Sequence, residues 1–178
     1  MCSSDLTGFT DDYAPANWSV TQSNSVGDVD TASAPTSIAI NSGTSGEEVG
    51  CLDYTATGYL DYTIMVTTSG NISFNWSFTN LGEVPYVLIN GVETPLTGFI
   101  EIGNFNQAGT MTIAVTAGQT LTFRATANNY LLISDYLEYC STTGPTLTLT
   151  NFKVTQNTAV ASTVWSASDE GTMVGSNR

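Results

Sequence analysis

Histidine is absent from this sequence. That removes the commonest general base, the commonest transition-metal ligand and any Ser-His-Asp arrangement. Cysteine is scarce, with Cys2, Cys51 and Cys140 far apart, so no zinc-binding spacing exists. Positive charge is scarcer still: 3 Lys and Arg stand against 16 Asp and Glu, for a net charge of −13. A surface so acidic repels phosphate backbones, which are bound through Lys and Arg, and it repels anionic membrane surfaces too. Nucleic acid is excluded as a partner on this ground. No apolar run approaches the roughly 18 residues of a spanning helix, so membrane insertion is not expected.

What remains is a chain of 178 residues that is 41% hydrophobic and only 11% charged. Its length suits one domain with a sizeable core. Most exposed positions must then be Thr, Ser, Asn and Gly, a composition of secreted or surface-displayed bacterial proteins. An extracellular or cell-surface location is expected.

The two ends read differently from the middle. Met1-Cys2-Ser3-Ser4-Asp5-Leu6 has neither the basic start nor the apolar stretch of a signal peptide. It is what the tail of a common sequencing adapter encodes after a GTG start, as in a gene assembled from an environmental fragment. Residues 1–7 are therefore expected to be a non-native segment adding nothing to the fold. Residues 8–155 are expected to form the domain, and 156–178 a C-terminal extension or the start of a truncated next region.

Helical periodicity is nearly absent, while period-two alternation recurs between Gly, Asn, Pro and Ser clusters. Short strands are expected over 17–22 and 37–41, separated by a polar stretch over 23–35. In 59–67, Leu60, Tyr62, Ile64 and Val66 share a face, with Asp61 and Thr63 on the other. In 71–79, Ile72, Phe74, Trp76 and Phe78 point inward. Ser69-Gly70 between these strands predicts a hairpin, and Asn90-Gly91 after 85–89 predicts a second. Residues 110–116 and 120–127 alternate likewise around a turn at Ala117-Gly118. Residues 130–139 read as a less regular strand-loop insertion. The closing strand, 146–155, slips phase between Leu149 and Phe152, which predicts a bulge. About ten short strands at this spacing give an all-β fold, a two-sheet antiparallel β-sandwich of jelly-roll or CUB-like outline.

Several stretches in order resemble a known kind of domain. These are Phe9-Thr10-Asp11-Asp12-Tyr13-Ala14-Pro15-Ala16-Asn17-Trp18, Gly70 to Ser77, Ala117 to Arg124 and Gly144 to Phe152. Together they resemble a bacterial extracellular CUB-like β-sandwich domain of secreted or adhesin-type multidomain proteins, over about residues 8 to 155. The resemblance implies a non-catalytic module and brings no catalytic residues with it.

Candidate sites follow from residue chemistry. Asp11, Asp12, Asp28 and Asp30 offer carboxylate oxygens of the kind calcium takes, though no D-x-D-x-D-G loop is present. Unliganded, they are solvated turn aspartates. Glycoside hydrolysis needs two acids facing across a cleft, and Asp53, Asp61, Glu83, Glu93, Glu101 and Glu138 are available. With so many acids, pairs of this kind carry no specificity. Tyr54, Tyr59, Tyr86, Phe99, Phe105, Tyr130, Tyr136 and Tyr139 fall at loop or outward positions, where flat rings could stack on sugars. Trp18, Phe74, Trp76 and Phe123 belong to the core. Arg124 points outward from Leu121, Phe123 and Ala125 and is expected to pair with a carboxylate. The N-x-S sequons at Asn17, Asn71 and Asn75 are chance matches in a Ser- and Asn-rich chain. Cys51 and Cys140 are expected to form a disulfide in an oxidising compartment; otherwise they are separate buried thiols.

The sequence thus reads as a non-catalytic module of a bacterial secreted or cell-surface protein, serving adhesion, matrix building or spacing. Its partners would be carbohydrate or other surface proteins. The alternative is a carbohydrate-binding module of a secreted glycoside hydrolase. A small hydrolase is the third class.

Overall fold

The computed structural model describes residues 5–43, 58–79, 84–96, 106–127, 130–134, 137–140 and 144–156, with backbone only for 127, 130–134 and 137–140. The strands are β1 (Leu6–Thr7), β2 (Ser19–Ser23), β3 (Asp28–Asp30), β4 (Ser37–Asn41), β5 (Gly58–Met65), β6 (Gly70–Thr79) and β7 (Tyr86–Ile89). They continue with β8 (Val92–Pro95), β9 (Asn106–Val115), β10 (Thr120–Ala127), β11 (Tyr130–Ser134), β12 (Leu137–Cys140) and β13 (Thr146–Gln156). Two short 3₁₀ turns, Asp11–Tyr13 and Pro15–Asn17, precede β2.

A six-stranded sheet has the order β3-β4-β13-β6-β9, with β1 added beside β13. A five-stranded sheet has the order β2-β5-β10-β7-β8, and β11 and β12 form a separate hairpin. Every pairing is antiparallel. This is the two-sheet antiparallel sandwich expected from the alternation.

Its core is what period-two patterning dictates. Ile38 and Ile40 of β4, Ile72, Phe74, Trp76 and Phe78 of β6, and Leu147, Leu149 and Val154 of β13 point inward from one sheet. Leu60, Tyr62 and Ile64 of β5 and Leu121, Phe123 and Ala125 of β10 meet them from the other. Phe9, Tyr13, Trp18 and Phe152 close one flank, with Phe9 stacked on Phe152 at 4.6 Å between ring centroids.

The expected hairpin at Asn90-Gly91 is present. Asn90 and Gly91 have φ of 51° and 80°, the doubly left-handed turn that suits the twist of a two-residue hairpin. The bulge in β13 is present as well: the β6 register shifts between Thr150 and Lys153, and Asn151 takes φ 50°. There β13 exchanges one edge partner for another, β4 along 146–150 and β1 at 153–154.

Other expectations are corrected. Ser69-Gly70 does not close a hairpin, because β5 and β6 lie in opposite sheets; nor do β9 and β10 pair across Ala117-Gly118. Alternation reports which face of a strand is buried, and in a sandwich both partners of an arch bury theirs against each other. The two arches lie together: Val66 N–H donates to Gln119 O at 2.8 Å, and Gly118 N–H donates to Val66 O at 2.8 Å. Ala117 N–H also donates to Ser69 Oγ at 3.0 Å. The polar stretch over 23–35 contains a strand, β3, which the lack of large apolar residues concealed. Asn17 belongs to a 3₁₀ turn, so β2 starts at Ser19.

The expectation that the first residues add nothing to the fold fails at Leu6. Leu6 pairs with Val154 and Thr7 with Lys153, and Leu6 packs against the core. A two-residue strand is too short for alternation to reveal.

Candidate functional site

The outer face of the five-stranded sheet carries Arg124, Asp61, Glu93 and Tyr86. Register fixes who meets whom. Arg124 of β10 lies opposite Asp61 of β5 on one side and Tyr86 of β7 on the other. Thr21 continues that row beyond Asp61, and Pro95 beyond Tyr86. In the next row Thr63 and Thr122 are joined by a hydroxyl hydrogen bond of 2.8 Å. In antiparallel sheets such cross-strand and diagonal neighbours are the side chains that interact.

Arg124 is the hub. Its Nε donates to Asp61 Oδ1 and its Nη2 to Asp61 Oδ2, both at 2.7 Å, the parallel two-bond geometry that suits a planar guanidinium. Its Nη1 donates to Glu93 Oε1. The guanidinium carbon lies 3.9 Å from the centre of the Tyr59 ring, a cation–π contact. The pair is largely withdrawn from water, with side-chain exposures of 17% for Arg124 and 13% for Asp61, whereas Glu93 is 47% exposed. The Asp61 hydrogen bonds raise the Arg124 pKa further above its ordinary range; burial opposes this, and the charges of Asp61 and Glu93 reinforce it.

The cation is thus held by two carboxylates and a ring. Glu93 is an exposed acceptor whose remaining lone pairs suit hydroxyl donors, whereas Asp61 is buried with both oxygens on Arg124. Tyr86, half-buried beside Arg124, carries an apolar ring with a polar tip. The expected pairing of Arg124 with a carboxylate is observed. The sequence did not single out which acids it meets, because Asp61 and Glu93 come from strands whose neighbours only the register reveals.

The other candidates disperse. Asp11 and Asp12 sit on the first 3₁₀ turn, where the Asn17 side-chain amide donates to both of their carbonyls, at 3.0 and 3.1 Å. Asp12 Oδ2 accepts from the Thr67 hydroxyl at 2.8 Å. Asp30 Oδ1 accepts from Ala32 N–H at 2.8 Å, a local turn contact, and Asp28 stands at the other end of β3. Among the described residues no three His, Cys, Asp or Glu side chains gather into a metal-binding group. Of the aromatics expected outside, Tyr59 and Tyr86 are placed on this face. Tyr54, Phe99, Phe105 and Tyr136 lie outside the described residues, as do the side chains of Tyr130 and Tyr139. Cys51, Asp53, Glu83 and Glu101 lie outside them too, and so do the side chains of Cys140 and Glu138.

The outer face of the six-stranded sheet is chemically different. Asn71, Ser73, Asn75 and Ser77 of β6 stand opposite Ala114, Thr112, Thr110 and Ala108 of β9. Thr146, Thr148 and Thr150 of β13 extend the same short polar surface. Lys153 is the charge on these three strands, and it pairs with Asp5 at 2.9 Å.

No protein-family model matches the chain, and no curated protein does. Solved structures match in outline. A family 35 carbohydrate-binding module from Clostridium thermocellum has a TM-score of 0.38 at 14% identity, covering 86% of this chain and 99% of that one. The N-terminal cellulose-binding domain of β-1,4-glucanase C from Cellulomonas fimi has a TM-score of 0.40 at 12% identity, over 81% of this chain and 91% of that one. The enzymatically active domain of tailspike protein 4 from bacteriophage CBA120 has a TM-score of 0.37 at 13% identity, over 80% of this chain but 20% of that one. At such scores and identities no residue role passes from them to this chain.

Proposed function

We propose that this domain is a non-catalytic carbohydrate-binding module of a secreted or cell-surface protein, binding neutral glycan on the outer face of its five-stranded sheet. The observation that carries the reading is the Arg124 hub, which holds Asp61, Glu93 and Tyr59 on one face, with Tyr86 beside it in the sheet and no histidine in the chain. Sugar rings are held by fixed acceptors that receive hydroxyl protons and by aromatic faces that cover their apolar C–H patches. One face of Tyr59 is already covered by Arg124, so Tyr86 is the ring that meets the sugar. The guanidinium orients the acceptors. The excess of carboxylate over cation at the hub, within a chain of net charge −13, disfavours uronic acids and sulfated glycans.

Affinity electrophoresis against a panel of soluble neutral and anionic polysaccharides tests this. Retardation by at least one neutral glycan, lost in Tyr86→Ala, is the expected result. Uniform migration through every gel contradicts it.

A second reading, an adhesive or spacing module, is favoured by the other face. Among the described residues, this plane of short hydroxyl and amide groups has no aromatic ring, which suits separation of neighbouring domains better than capture of a ligand. Under that reading the Arg124 hub is a structural pin, and Tyr86→Ala changes no binding.

A further inference from the structure

The edge strands of the two main sheets differ in how well they resist pairing. β3 is three residues long and carries exposed Asp28 and Asp30. β8 is four residues long, with Glu93 within it and Pro95 at its end. β2 is uncharged but only five residues long. β9 has none of these protections. It runs for ten residues, Asn106–Val115, without a charge or a proline, and pairs with β6 in an unbroken register from Gly70↔Val115 to Thr79↔Asn106. Among the described residues, its other edge has no strand beside it.

Edge strands expose unpaired N–H and C=O groups, and proteins blunt them with charge, proline, bulges or brevity. A long, flat, uncharged edge is a template for another strand. We propose that β9 is an interface, pairing antiparallel with β9 of a second copy of this chain and joining the two six-stranded sheets into one.

Charge selects the second copy as occupant. A foreign strand drawn to this acidic protein would be basic, yet β9 offers it no carboxylate, and the outward residues of β6 behind it are Asn71, Ser73, Asn75 and Ser77. Two copies, each with a net charge of −13, repel over most of their surfaces. Among the described residues, the β9 edge lets them meet without like charges at the seam. A two-fold axis near Thr110 is self-complementary, as closed dimers require. It sets Ala108 against Thr112 on the outer face and Gly109 against Met111 on the inner one. Gly109 then faces the long Met111, two short side chains meet in the outer row, and each row keeps to one face of the sheet.

Sedimentation velocity of the full chain, from micromolar to near-millimolar concentration, tests the proposal. A monomer–dimer equilibrium is expected, with the dimer dissociation constant raised at least tenfold in Thr110→Lys/Thr112→Lys. Ala108→Lys, a single outward change, serves as the second variant. Both variants should keep the parent circular dichroism spectrum. Hydrogen exchange at alternate β9 amides should slow as concentration rises. A monomer at every concentration, a dimer unmoved by both variants, or β9 amides equally protected at all concentrations would each overturn the proposal.

Discussion

Trp18 and Tyr62 stack almost in parallel, ring centroids 4.6 Å apart and planes 7° from coplanar, where the N-terminal 3₁₀ turns meet β5. The Trp18 indole N–H donates to Tyr13 O at 3.0 Å, so one cluster binds the chain's entry to the five-stranded sheet. Burial pushes the Tyr62 phenol up to about 12 from an ordinary 10.0. Tyr13 is raised as well, by burial first and by the charge of Asp12 second.

Both phenols stay neutral in the folded state at a pH where the unfolded chain ionises them. Their stability contribution is therefore intact below about pH 10 and falls as pH rises above it, for Tyr62 up to about 12. For Tyr62 alone the loss is on the order of 2–3 kcal/mol. Chemical denaturation from pH 8 to 11.5 should show a flat region and then this decline, with phenolate absorbance appearing together with unfolding. Phenolate absorbance from all tyrosines while the fold persists would refute it.

Among the described residues, the buried Tyr13 hydroxyl has no hydrogen-bond partner. An unpaired buried hydroxyl costs about 1–3 kcal/mol. Tyr13→Phe should therefore leave the melting temperature unchanged or raise it. A drop of several degrees would mean that this hydroxyl is bonded.

Arg124 cannot be replaced conservatively. Lysine has three donors on one nitrogen but lacks the planar fork that meets both Asp61 oxygens in parallel and the flat surface that lies over Tyr59. Arg124→Lys should destabilise by about 1–3 kcal/mol, read as a lower denaturation midpoint at unchanged slope. Asp61→Asn should cost a comparable amount, and the double variant less than the sum of the two. Strict additivity would show that the two side chains do not act as a pair.

Removal of residues 1–7 should lower the melting temperature by about 2–6 °C. The segment contributes the Leu6 and Thr7 ladder and part of the core cover; the exposed Asp5–Lys153 pair adds little. An unchanged melting temperature would show that β1 does not hold to β13.

Much of this fold was legible before its geometry. Strand faces, the Asn90-Gly91 turn and the bulge after Leu149 follow from local chemistry: alternation, left-handed φ and a slipped phase. Sheet membership does not. Nothing in Leu60-Asp61-Tyr62 or Ile72-Ser73-Phe74 says which sheet each joins, since a hairpin and an arch bury the same pattern. The site was half legible for the same reason. Arg124 stood out as a rare outward cation, but its meeting with Asp61, Glu93 and Tyr59 depends on pairings between strands distant in sequence. The Cys51–Cys140 disulfide, proposed from compartment and from the loop-edge positions of the two cysteines, awaits thiol labelling of the unreduced protein. Labelling of both thiols would sink it.

The central claim is that neutral glycan binds at the Arg124 face. Backbone amide chemical shifts recorded during titration with a neutral oligosaccharide test it most directly. Saturable shifts centred on Tyr59, Asp61, Tyr86, Glu93 and Arg124 are expected, with affinity at least tenfold weaker in Tyr86→Ala. Shifts centred instead on Asn75, Thr110 and Thr148 of the opposite face, or none with any neutral oligosaccharide, would contradict it.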